Sequence, residues 1–270
     1  MDAVAAVILD GLSYRRAARM VRISKTEVGD SMDLLLPRLA GLGYCQPDGT
    51  FITSLDDVRQ WLGEMAHSGE AILVDGLATR VQRPAGWANQ KVLYDTKRHA
   101  HTAQGLVVST IWGDLLWCDG GWPGSYHEQE LLALSGVEEV LDGAEVVSLL
   151  DRGFRGRAGP RAHWHVPVGD RRTKDRLTDA QRGYNRVQAG LRALVEQAIG
   201  HLANAWALRR WRGLLHRVRD VYRAAAALVC LGRWLHRVPH EEHRGHPHWL
   251  LAGSAEVFVW RTAGRFRPVS

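Results

Sequence analysis

The sequence lacks a hydrophobic run long enough to cross a lipid bilayer. Its longest apolar run, residues 224–231, lies between Arg223 and Arg233, whereas a membrane-spanning helix needs about 20 such residues. Residues 1–12 also lack the basic flank and the small-residue cleavage site of a secretory signal. We therefore expect a protein that has no membrane partner and works in the cytoplasm.

Cysteine is also scarce. The chain of 270 residues has 3 cysteines, Cys45, Cys118 and Cys230, and no two of them have the spacing of a zinc-binding pair. Such scattered cysteines argue against a disulfide framework and favour a reducing compartment. A composition of 46% hydrophobic and 24% charged residues is typical of a globular protein with an ample core.

Acidic residues are scarce in one long segment. Residues 152–219 contain 16 lysines and arginines but 4 aspartates and glutamates, although the formal net charge of the whole chain is +6. The rest of the chain is therefore acidic on balance. Charge that is separated in this way suits a polyanionic partner held beside an acidic site.

The N-terminal segment has the pattern of two short helices. Ser13 is placed to cap a helix to about Val21, and Ser24 with Glu27 forms a capping box for a second helix, which we expect Pro37 to end or kink. Two basic helices across a tight turn suit a DNA-binding helix-turn-helix, and an ordinary helical hairpin with solvated arginines is the alternative. The candidate DNA contacts are Arg15, Arg16, Lys25 and Thr26.

A short linking region follows. Residues 41–53 are predicted to form a loop or small hairpin, because Pro47, Asp48 and Gly49 are turn residues. Ser54 is placed to cap a helix over residues 55–65. We place a domain boundary near His67.

The chain beyond this boundary alternates short strands with helices. Residues 71–74 and 146–150 are predicted to form buried strands, and each runs straight into an aspartate, Asp75 or Asp151. A carboxylate in such a place is costly unless something cationic faces it. Further strands are predicted over residues 105–111 and 114–117 and near 163–168, with helices after His127 and over 185–202. This order predicts a mixed sheet covered by helices.

Three acids on separate elements have the chemistry of a metal site. Phosphodiester cleavage needs an activated nucleophile and a neutralised leaving oxygen, and two divalent ions about 4 Å apart, held by carboxylates, supply both. Asp75, Asp151 and Glu196 are the candidates. The alternative is structural, because an aspartate before glycine is often a turn residue and Glu196 is spaced to form an exposed ion pair with Arg192. Spacing alone does not decide between these interpretations.

Five motifs provide a further argument. They read ILVDG at 72–76, KRHAHT at 97–102, PGSYH at 123–127, LLDRGFRG at 149–156 and RALVEQAIGHL at 192–202. Over residues 71–235 the chain resembles the DDE transposases of bacterial insertion sequences, which are related to the Harbinger-type transposases and nucleases of eukaryotes. The resemblance implies an RNase H-like α/β domain, a mixed sheet with flanking helices, over residues 67–238. The motifs GLSYR at 11–15 and ISK at 23–25, with Ala17 between them, similarly resemble the helix-turn-helix common in bacterial transposases and regulators. We assign residues 1–66 to an all-α helix-turn-helix domain on this basis.

The resemblance also implies roles for the acids. Asp75 is expected to bridge two Mg²⁺ or Mn²⁺ ions, while Asp151 and Glu196 each complete the shell of one ion. Arg192 matches an arginine of many relatives that touches phosphate or orients the glutamate. The other candidate DNA or supporting contacts of this region are Lys97, Arg98, His101, His127, Arg152, Arg155, Arg209, Arg210 and Arg212. A structural role stays open for each histidine.

Two positions depart from the family pattern. Relatives usually carry lysine seven residues after the glutamate, where this chain has Ala203, and many carry aspartate after the G-S-x-H histidine, where it has Glu128. Loss of the lysine is expected to weaken the positioning of the DNA strand without removing the metals.

The C-terminal third of the chain is less informative. Within residues 205–219, Trp206 and Trp211 lie among arginines. We expect both tryptophans to be core residues, although exposed tryptophans could stack on unpaired bases. A closing helix is predicted over 218–238. The role of residues 239–270 is unassigned.

The sequence thus predicts an insertion-sequence transposase of the bacterial cytoplasm, associated with the nucleoid when bound to DNA. It would bind element ends as a homo-oligomer and use two divalent ions for cleavage and strand transfer of double-stranded DNA. Two alternatives stay open. One is a relict that only binds DNA, and the other is a metal-dependent endonuclease without strand transfer.

Overall fold

A computed structural model of the protein describes residues 1–65, 71–169 and 177–237. The predicted domain boundary near His67 and the segment 239–270 lie outside the described residues. The division of the chain into residues 1–66, 67–238 and 239–270 therefore stays a prediction.

Three helices form the N-terminal part: α1 (Asp2–Ile8), α2 (Tyr14–Val21) and α3 (Lys25–Ala40). The predicted caps are confirmed, because Ser13 accepts a hydrogen bond from the Arg16 amide and Ser24 and Glu27 form a reciprocal capping box. Of the two predicted effects of Pro37, an end of the helix is wrong, since α3 continues to Ala40, and a kink stays a prediction. Proline in a helix removes one hydrogen bond, and burial of Leu36 and Leu39 on either side of it holds the last turn in place.

A small hairpin and a fourth helix complete this part. Strands β1 (Tyr44–Cys45) and β2 (Phe51–Ile52) pair antiparallel, and α4 (Leu55–Met65) follows. The Asp57 amide donates to the Ser54 hydroxyl at 3.1 Å, which confirms the predicted cap.

Six strands form the central sheet. They are β3 (Ala71–Arg80), β4 (Tyr94–Asp95), β5 (Ala100–Thr110), β6 (Leu115–Pro123), β7 (Val147–Leu150) and β8 (Trp164–His165). The sheet order is β6-β5-β3-β7-β8, and β4 pairs with the first residues of β5. Strands β5 and β6 are antiparallel to their neighbours, whereas β7 and β8 run parallel to β3. This mixed sheet confirms the predicted α/β class and is compatible with an RNase H-like domain.

The first strand of the sheet is longer than predicted. It does not end at Asp75 but continues to Arg80, paired with β5 as far as Arg80 opposite Thr102. Leu77 and Thr79 continue the burial of side chains along the strand. The long antiparallel partner supplies hydrogen bonds beyond the aspartate, so Asp75 lies in the middle of a strand, whereas Asp151 follows the end of β7 as predicted.

Helices flank the sheet. They are α5 (Trp87–Leu93), α6 (Glu128–Leu134), α7 (Val137–Ala144), α8 (Arg155–Ala158), α9 (Asp179–Leu202), α10 (Trp206–Arg209) and α11 (Val218–Arg237), with short 3-10 helices at Arg152–Phe154 and Leu215–Arg217. No helix in these described ranges is long and apolar enough to span a bilayer. The three cysteines are buried free thiols.

Helix α9 carries Arg192 and Glu196. It begins six residues before the predicted start because Thr178 and Gln181 form a capping box there. Val195 packs against Leu73 and Leu149 of the sheet, so this helix crosses the strands that carry the aspartates.

Helix α11 joins the sheet to the N-terminal helices. The hydroxyl of its buried Tyr222 lies 2.9 Å from the carbonyl oxygen of Leu77 and 3.0 Å from that of Ala103. Methyl groups added at Gly105 and Gly120 would lie 2.3 Å and 2.6 Å from the same ring, so both strands need glycine where the ring crosses them. One hydrophobic core continues from α1 and α3 through α11 to the sheet.

Candidate active site

The strand register brings two aspartates together. Strands β3 and β7 are parallel neighbours, and Val74 lies opposite Leu150. Asp75 is the next residue of β3 and Asp151 follows the end of β7, so the two aspartates come directly after a paired position. Asp75 is not a turn residue, because it is paired with Val107 of β5 within a strand.

A guanidinium group lies between the two carboxylates. Arg192 Nη1 is 2.9 Å from Oδ1 of Asp151, and Arg192 Nη2 is 3.6 Å from Oδ2 of Asp75. The side chains are 14% exposed for Arg192, 17% for Asp75 and 32% for Asp151. Because water is largely excluded, these charges interact more strongly than surface ion pairs do. Arg192 thus neutralises two carboxylates that would otherwise repel each other.

Burial dominates the protonation of Asp75. It raises the pKa of this carboxyl from 3.8 to about 6, against the opposing effects of the Gly76 amide and of Arg192. The negative charges of Asp151 and Glu128 add to the rise. Glu128 is a third carboxylate near the pair, because its side chain packs against Gly76, the residue after Asp75.

Glu128 is the first residue of α6 and was not among the predicted site residues. Glu128 forms an ion pair with Lys97, whose Nζ is 3.3 Å from Glu128 Oε1. The Glu128 side chain fits against Gly76 and Gly153, the glycines that follow the two aspartates in their motifs. A signal was present, since an acid directly follows the GSYH motif. Its place beside the aspartates depends on the tertiary packing of α6, which the motif does not reveal.

Among the described residues, Glu196 forms no contact with Asp75 or Asp151 through a hydrogen bond or an ion pair. Its side chain is exposed, and it makes neither a hydrogen bond nor an ion pair within the described parts of the chain. The alternative of an exposed pair with Arg192 is wrong, because Arg192 contacts the aspartates instead. Glu196 follows Arg192 by one helical turn, so both side chains project from similar sides of α9.

The basic motif at 97–102 forms a loop at the edge of this site. Asp95 organises the loop, because its carboxylate accepts hydrogen bonds from the Lys97 and Arg98 amides at 2.8 Å and 3.1 Å and from the Arg98 side chain at 3.0 Å. Gln104 donates to the same carboxylate at 3.1 Å. The His101 ring packs edge-on against Tyr94. Lys97 is therefore the member of this motif that contacts the acidic site.

The remaining predicted contacts lie in several places. The His127 amide caps α6 through Glu130, Arg155 donates to the carbonyl oxygens of Pro167 and Gly169, and Arg152 is exposed. Exposed side chains are also found at Arg15, Arg16, Lys25, Thr26, Arg209, Arg210 and Arg212. Trp206 and Trp211 differ in their burial. Trp211 is buried as predicted, but the prediction is wrong for Trp206, which is exposed and stacks under the Arg209 guanidinium.

The donor set fits a hard divalent cation in type. Asp75 and Asp151 supply carboxylate oxygens from adjacent strands, and Mg²⁺ is bound in proteins by one or two carboxylates together with water and phosphate. Arg192 is a cationic stand-in on these same oxygens. Within residues 1–65, 71–169 and 177–237, no three acidic, histidine or cysteine side chains are placed so that they could hold a metal ion. An ion would therefore have to take the place of Arg192 on the aspartates.

Comparison with known proteins defines the class. A family model described as "DDE superfamily endonuclease" matches residues 74–232, a segment that includes Asp75, Glu128, Asp151, Arg192 and Glu196. This is more than half of the chain, and the family supports a nuclease-type enzyme. The chain belongs to the DDE superfamily endonuclease family. No curated protein and no solved structure matches it.

Proposed function

We propose that this DDE superfamily endonuclease is an insertion-sequence transposase of bacteria. It binds the ends of its element, cuts the DNA there and joins the released ends to target DNA. The observation that carries the proposal is the pair of adjacent carboxylates, Asp75 and Asp151, within the region of the family match. Phosphoryl transfer depends mainly on positioning and charge neutralisation, and a half-buried carboxylate pair in contact with a guanidinium suits this task.

Two Mg²⁺ or Mn²⁺ ions are the proposed cofactors. Asp75 and Asp151 would hold them, and Glu196 would join from α9. When bound, such ions activate the attacking oxygen and stabilise the charge on the leaving oxygen. The protein's own part begins with Arg192, which leaves the aspartates and turns its guanidinium toward the phosphate of the DNA, a group it binds well in a bidentate manner.

The reaction has two steps. In the first, water attacks the phosphorus at the element end, the bond to the 3′ oxygen breaks, and that oxygen takes up a proton to become a 3′-hydroxyl. In the second, this hydroxyl attacks a phosphodiester of the target and loses its proton, while a new 3′ oxygen leaves. Asp75 and Asp151 hold the same place in both steps, and no covalent bond between protein and DNA forms.

The proposal has two alternatives, one of which has observations of its own. Ala203 at the C-terminal cap of α9 and the Arg192 contacts with both aspartates favour a relict that binds DNA without cutting it. The second alternative is an endonuclease without strand transfer, which needs the same carboxylates. Cleavage separates the relict from the other two, and joined products separate a transposase from a plain nuclease.

The experiment is a cleavage assay on DNA that carries the repeats flanking the gene. The protein is incubated with Mg²⁺, with Mn²⁺ or with chelator, beside Asp151→Asn and the control Asp56→Asn, a surface aspartate of α4. We expect metal-dependent cuts at the repeat boundary and joined products, both lost in Asp151→Asn and kept in the control. DNA binding without any cut would support the relict instead. Cuts without joined products would support the endonuclease.

A further inference from the structure

The end of strand β3 and the segment that follows helix α10 lie side by side. The Trp211 amide donates a hydrogen bond to the carbonyl oxygen of Arg80 at 2.8 Å. The side-chain amide of Gln82 donates to the carbonyl oxygen of Arg212 at 3.1 Å. These hydrogen bonds hold together two segments that are far apart in the sequence. We call residues 80–91 and 209–212 the basic surface.

The basic surface carries positive charge that acids of the described residues do not neutralise. The neighbouring sequence explains this, because residues 76–94 and 197–219 contain no aspartate or glutamate. Exposed arginines elsewhere, such as Arg59 and Arg182, do pair with acids. Uncompensated charge of one sign suits a polyanionic partner. The exposed cations without an ion-pair partner in the described parts of the chain are Arg80, Arg83, Lys91, Arg209, Arg210 and Arg212.

An exposed tryptophan lies between two of these cations in the chain. Trp87 of α5 is 80% exposed, more than any other large hydrophobic side chain among the described residues. Tryptophan is highly buried on average, because its ring carries a large apolar area. The Arg83 guanidinium donates to the side chain of Gln90 at 3.0 Å, and Gln90 donates to the carbonyl oxygen of Pro84 at 3.1 Å. These contacts hold α5 against the end of β3 and so fix the position of the exposed ring.

A second exposed tryptophan is already stacked with a cation. Trp206 is 43% exposed, and the guanidinium carbon of Arg209 is 4.9 Å from the centre of its ring. Aromatic rings among arginines are the groups with which proteins bind single-stranded nucleic acid, because bases stack on the rings and phosphates contact the guanidinium groups. Within a duplex both faces of a base are covered by its neighbours. A ring such as that of Trp87 therefore suits a base that is unpaired.

The basic surface adjoins the acidic site. Arg80 is five residues beyond Asp75 on β3, which is about 17 Å along a strand. About five stacked nucleotides cover this distance. The end of α5 is also close to the site, because its Val92 carbonyl oxygen accepts a hydrogen bond from the Ser125 amide at 3.1 Å, just before α6 and Glu128. A DNA strand bound at the aspartates can thus continue over the basic surface.

We propose that the basic surface binds an unpaired stretch of the DNA substrate beside the cut, with the Trp87 ring stacked on a base and the arginines on phosphates. The inference rests on DNA as the substrate of the proposed function, and it adds the form of the DNA and the residue that recognises it. A duplex offers the same phosphates without a free base face. An anionic membrane has the same charge, but the endonuclease family of the chain favours DNA as the partner.

The test measures binding to the full chain in chelator, by fluorescence anisotropy, with a labelled oligothymidine strand and with a duplex. Trp87→Ala should raise the Kd for the single strand at least about fivefold, because a stacked base is lost, and should leave the Kd for the duplex unchanged. Trp87→Phe keeps an aromatic ring and should retain most of the affinity. The matched control is Trp112→Ala, which replaces a 69% exposed tryptophan beyond the opposite end of β5 and should change neither Kd.

Cross-linking reports the contact directly. A single strand that contains iododeoxyuridine is irradiated on the wild-type protein, and mass spectrometry of the cross-linked peptide should identify Trp87. The phosphate contacts have a separate readout, the dependence of the Kd on salt. Arg83→Gln and Arg210→Gln should each lower the salt slope for the single strand by about 0.7. Arg59→Gln, the control on α4, should leave the slope unchanged.

The outcomes separate this inference from the proposed function, because binding is measured without metal and without cleavage. A selective loss of single-strand affinity in Trp87→Ala, with a cross-link at Trp87, supports the inference. If Trp87→Ala binds the single strand as Trp112→Ala does, or weakens strand and duplex equally, the stacking role is overturned even where the wild type cuts DNA. If Trp87→Ala instead loses binding to phosphatidylserine vesicles and keeps the single strand, the surface belongs to a membrane contact and the inference fails.

Discussion

Arg192 Nη1 lies 2.9 Å from Asp151 Oδ1, so a guanidinium occupies the oxygen that the proposed metal ion needs. The same side chain reaches Asp75 at 3.6 Å. Only a competing cation or the phosphate of the DNA can draw it away. If the proposed function is right, Arg192 opposes metal binding and assists DNA binding with the same side chain.

Replacement of Arg192 by Gln should consequently have opposite effects on two measurements. Without the competing guanidinium, the Kd for Mn²⁺ should fall about tenfold, which corresponds to about 1.4 kcal/mol. In chelator the variant should melt at a lower temperature than the wild type, because two half-buried carboxylates lose their counter-ion. Mn²⁺ should restore most of this loss. Isothermal titration and thermal unfolding measure both effects.

Arg59→Gln, a surface arginine of α4, is the matched control for Arg192→Gln and should change neither quantity. If Arg192→Gln instead weakens Mn²⁺ binding, the guanidinium supports the geometry of the aspartates and does not compete with the ion.

Asp95 should control the order of the basic loop. Burial alone would raise the pKa of Asp95, but hydrogen bonds from the side chain and amide of Arg98, the charge of Arg98 and the Lys97 amide outweigh it and lower the pKa. Because the folded pKa lies below the unfolded value, the stabilisation is present above pH 3.8 and is lost as the pH falls through the folded pKa. Amide signals of Lys97 and Arg98 in nuclear magnetic resonance should therefore lose dispersion only in acid.

Asp95→Asn should reproduce this disorder at neutral pH. The amide side chain of asparagine keeps one acceptor oxygen and loses the charge that attracts Arg98, at a cost of about 1–3 kcal/mol. A loop with unchanged amide signals in Asp95→Asn would show that backbone pairing of Tyr94 and Asp95 with β5, not the carboxylate, holds it.

The sequence predicts one aspartate environment well and the other poorly. The apolar segment before Asp151 ends where β7 ends, since its turn residues, Gly153 and Gly156, are local signals. Asp75 has the same local pattern but lies within a strand, because β5 is long enough to continue the pairing. The length over which two strands pair depends on both segments, so residues 71–76 alone do not predict where β3 ends.

The surroundings of the acids are still less visible in the sequence. The (i, i+4) spacing of Arg192 and Glu196 favours a pair along the helix, but two half-buried carboxylates attract the arginine more strongly than one exposed carboxylate does. Similarly, the position of Glu128 follows from where α6 crosses the ends of the motifs that contain Gly76 and Gly153. Periodicity identifies which side of a helix is apolar, yet it does not say which strands that helix crosses.

Tyr222 should be a stability determinant that is separate from the acidic site. Tyr222→Phe removes a buried hydroxyl and leaves the carbonyl oxygens of Leu77 and Ala103 with less hydrogen bonding, at a cost of about 1–3 kcal/mol. Gly120→Ala should cost at least as much, because the methyl group would meet the tyrosine ring at 2.6 Å. Urea unfolding in chelator measures both losses. Equal stability of Tyr222→Phe and the wild type would show that neither carbonyl depends on the hydroxyl.

The helix pair α2 and α3 should bind DNA independently of the metals. Lys25 opens α3 just after the turn at Arg22, and its side chain is exposed together with that of Arg15 on α2. If these helices contact element ends, Lys25→Ala and Arg15→Ala should each weaken binding in chelator and lower the salt dependence by about one counterion. Fluorescence anisotropy at several salt concentrations measures both quantities, and Arg59→Ala is the control of equal charge.

Because Val28 and Met32 of α3 are buried in the shared core, the exposed surface of this helix is its first turn and the opposite side. Unchanged salt dependence in both variants would instead make the pair an ordinary helical hairpin that packs against α11 and leave DNA binding to the basic residues of the sheet domain.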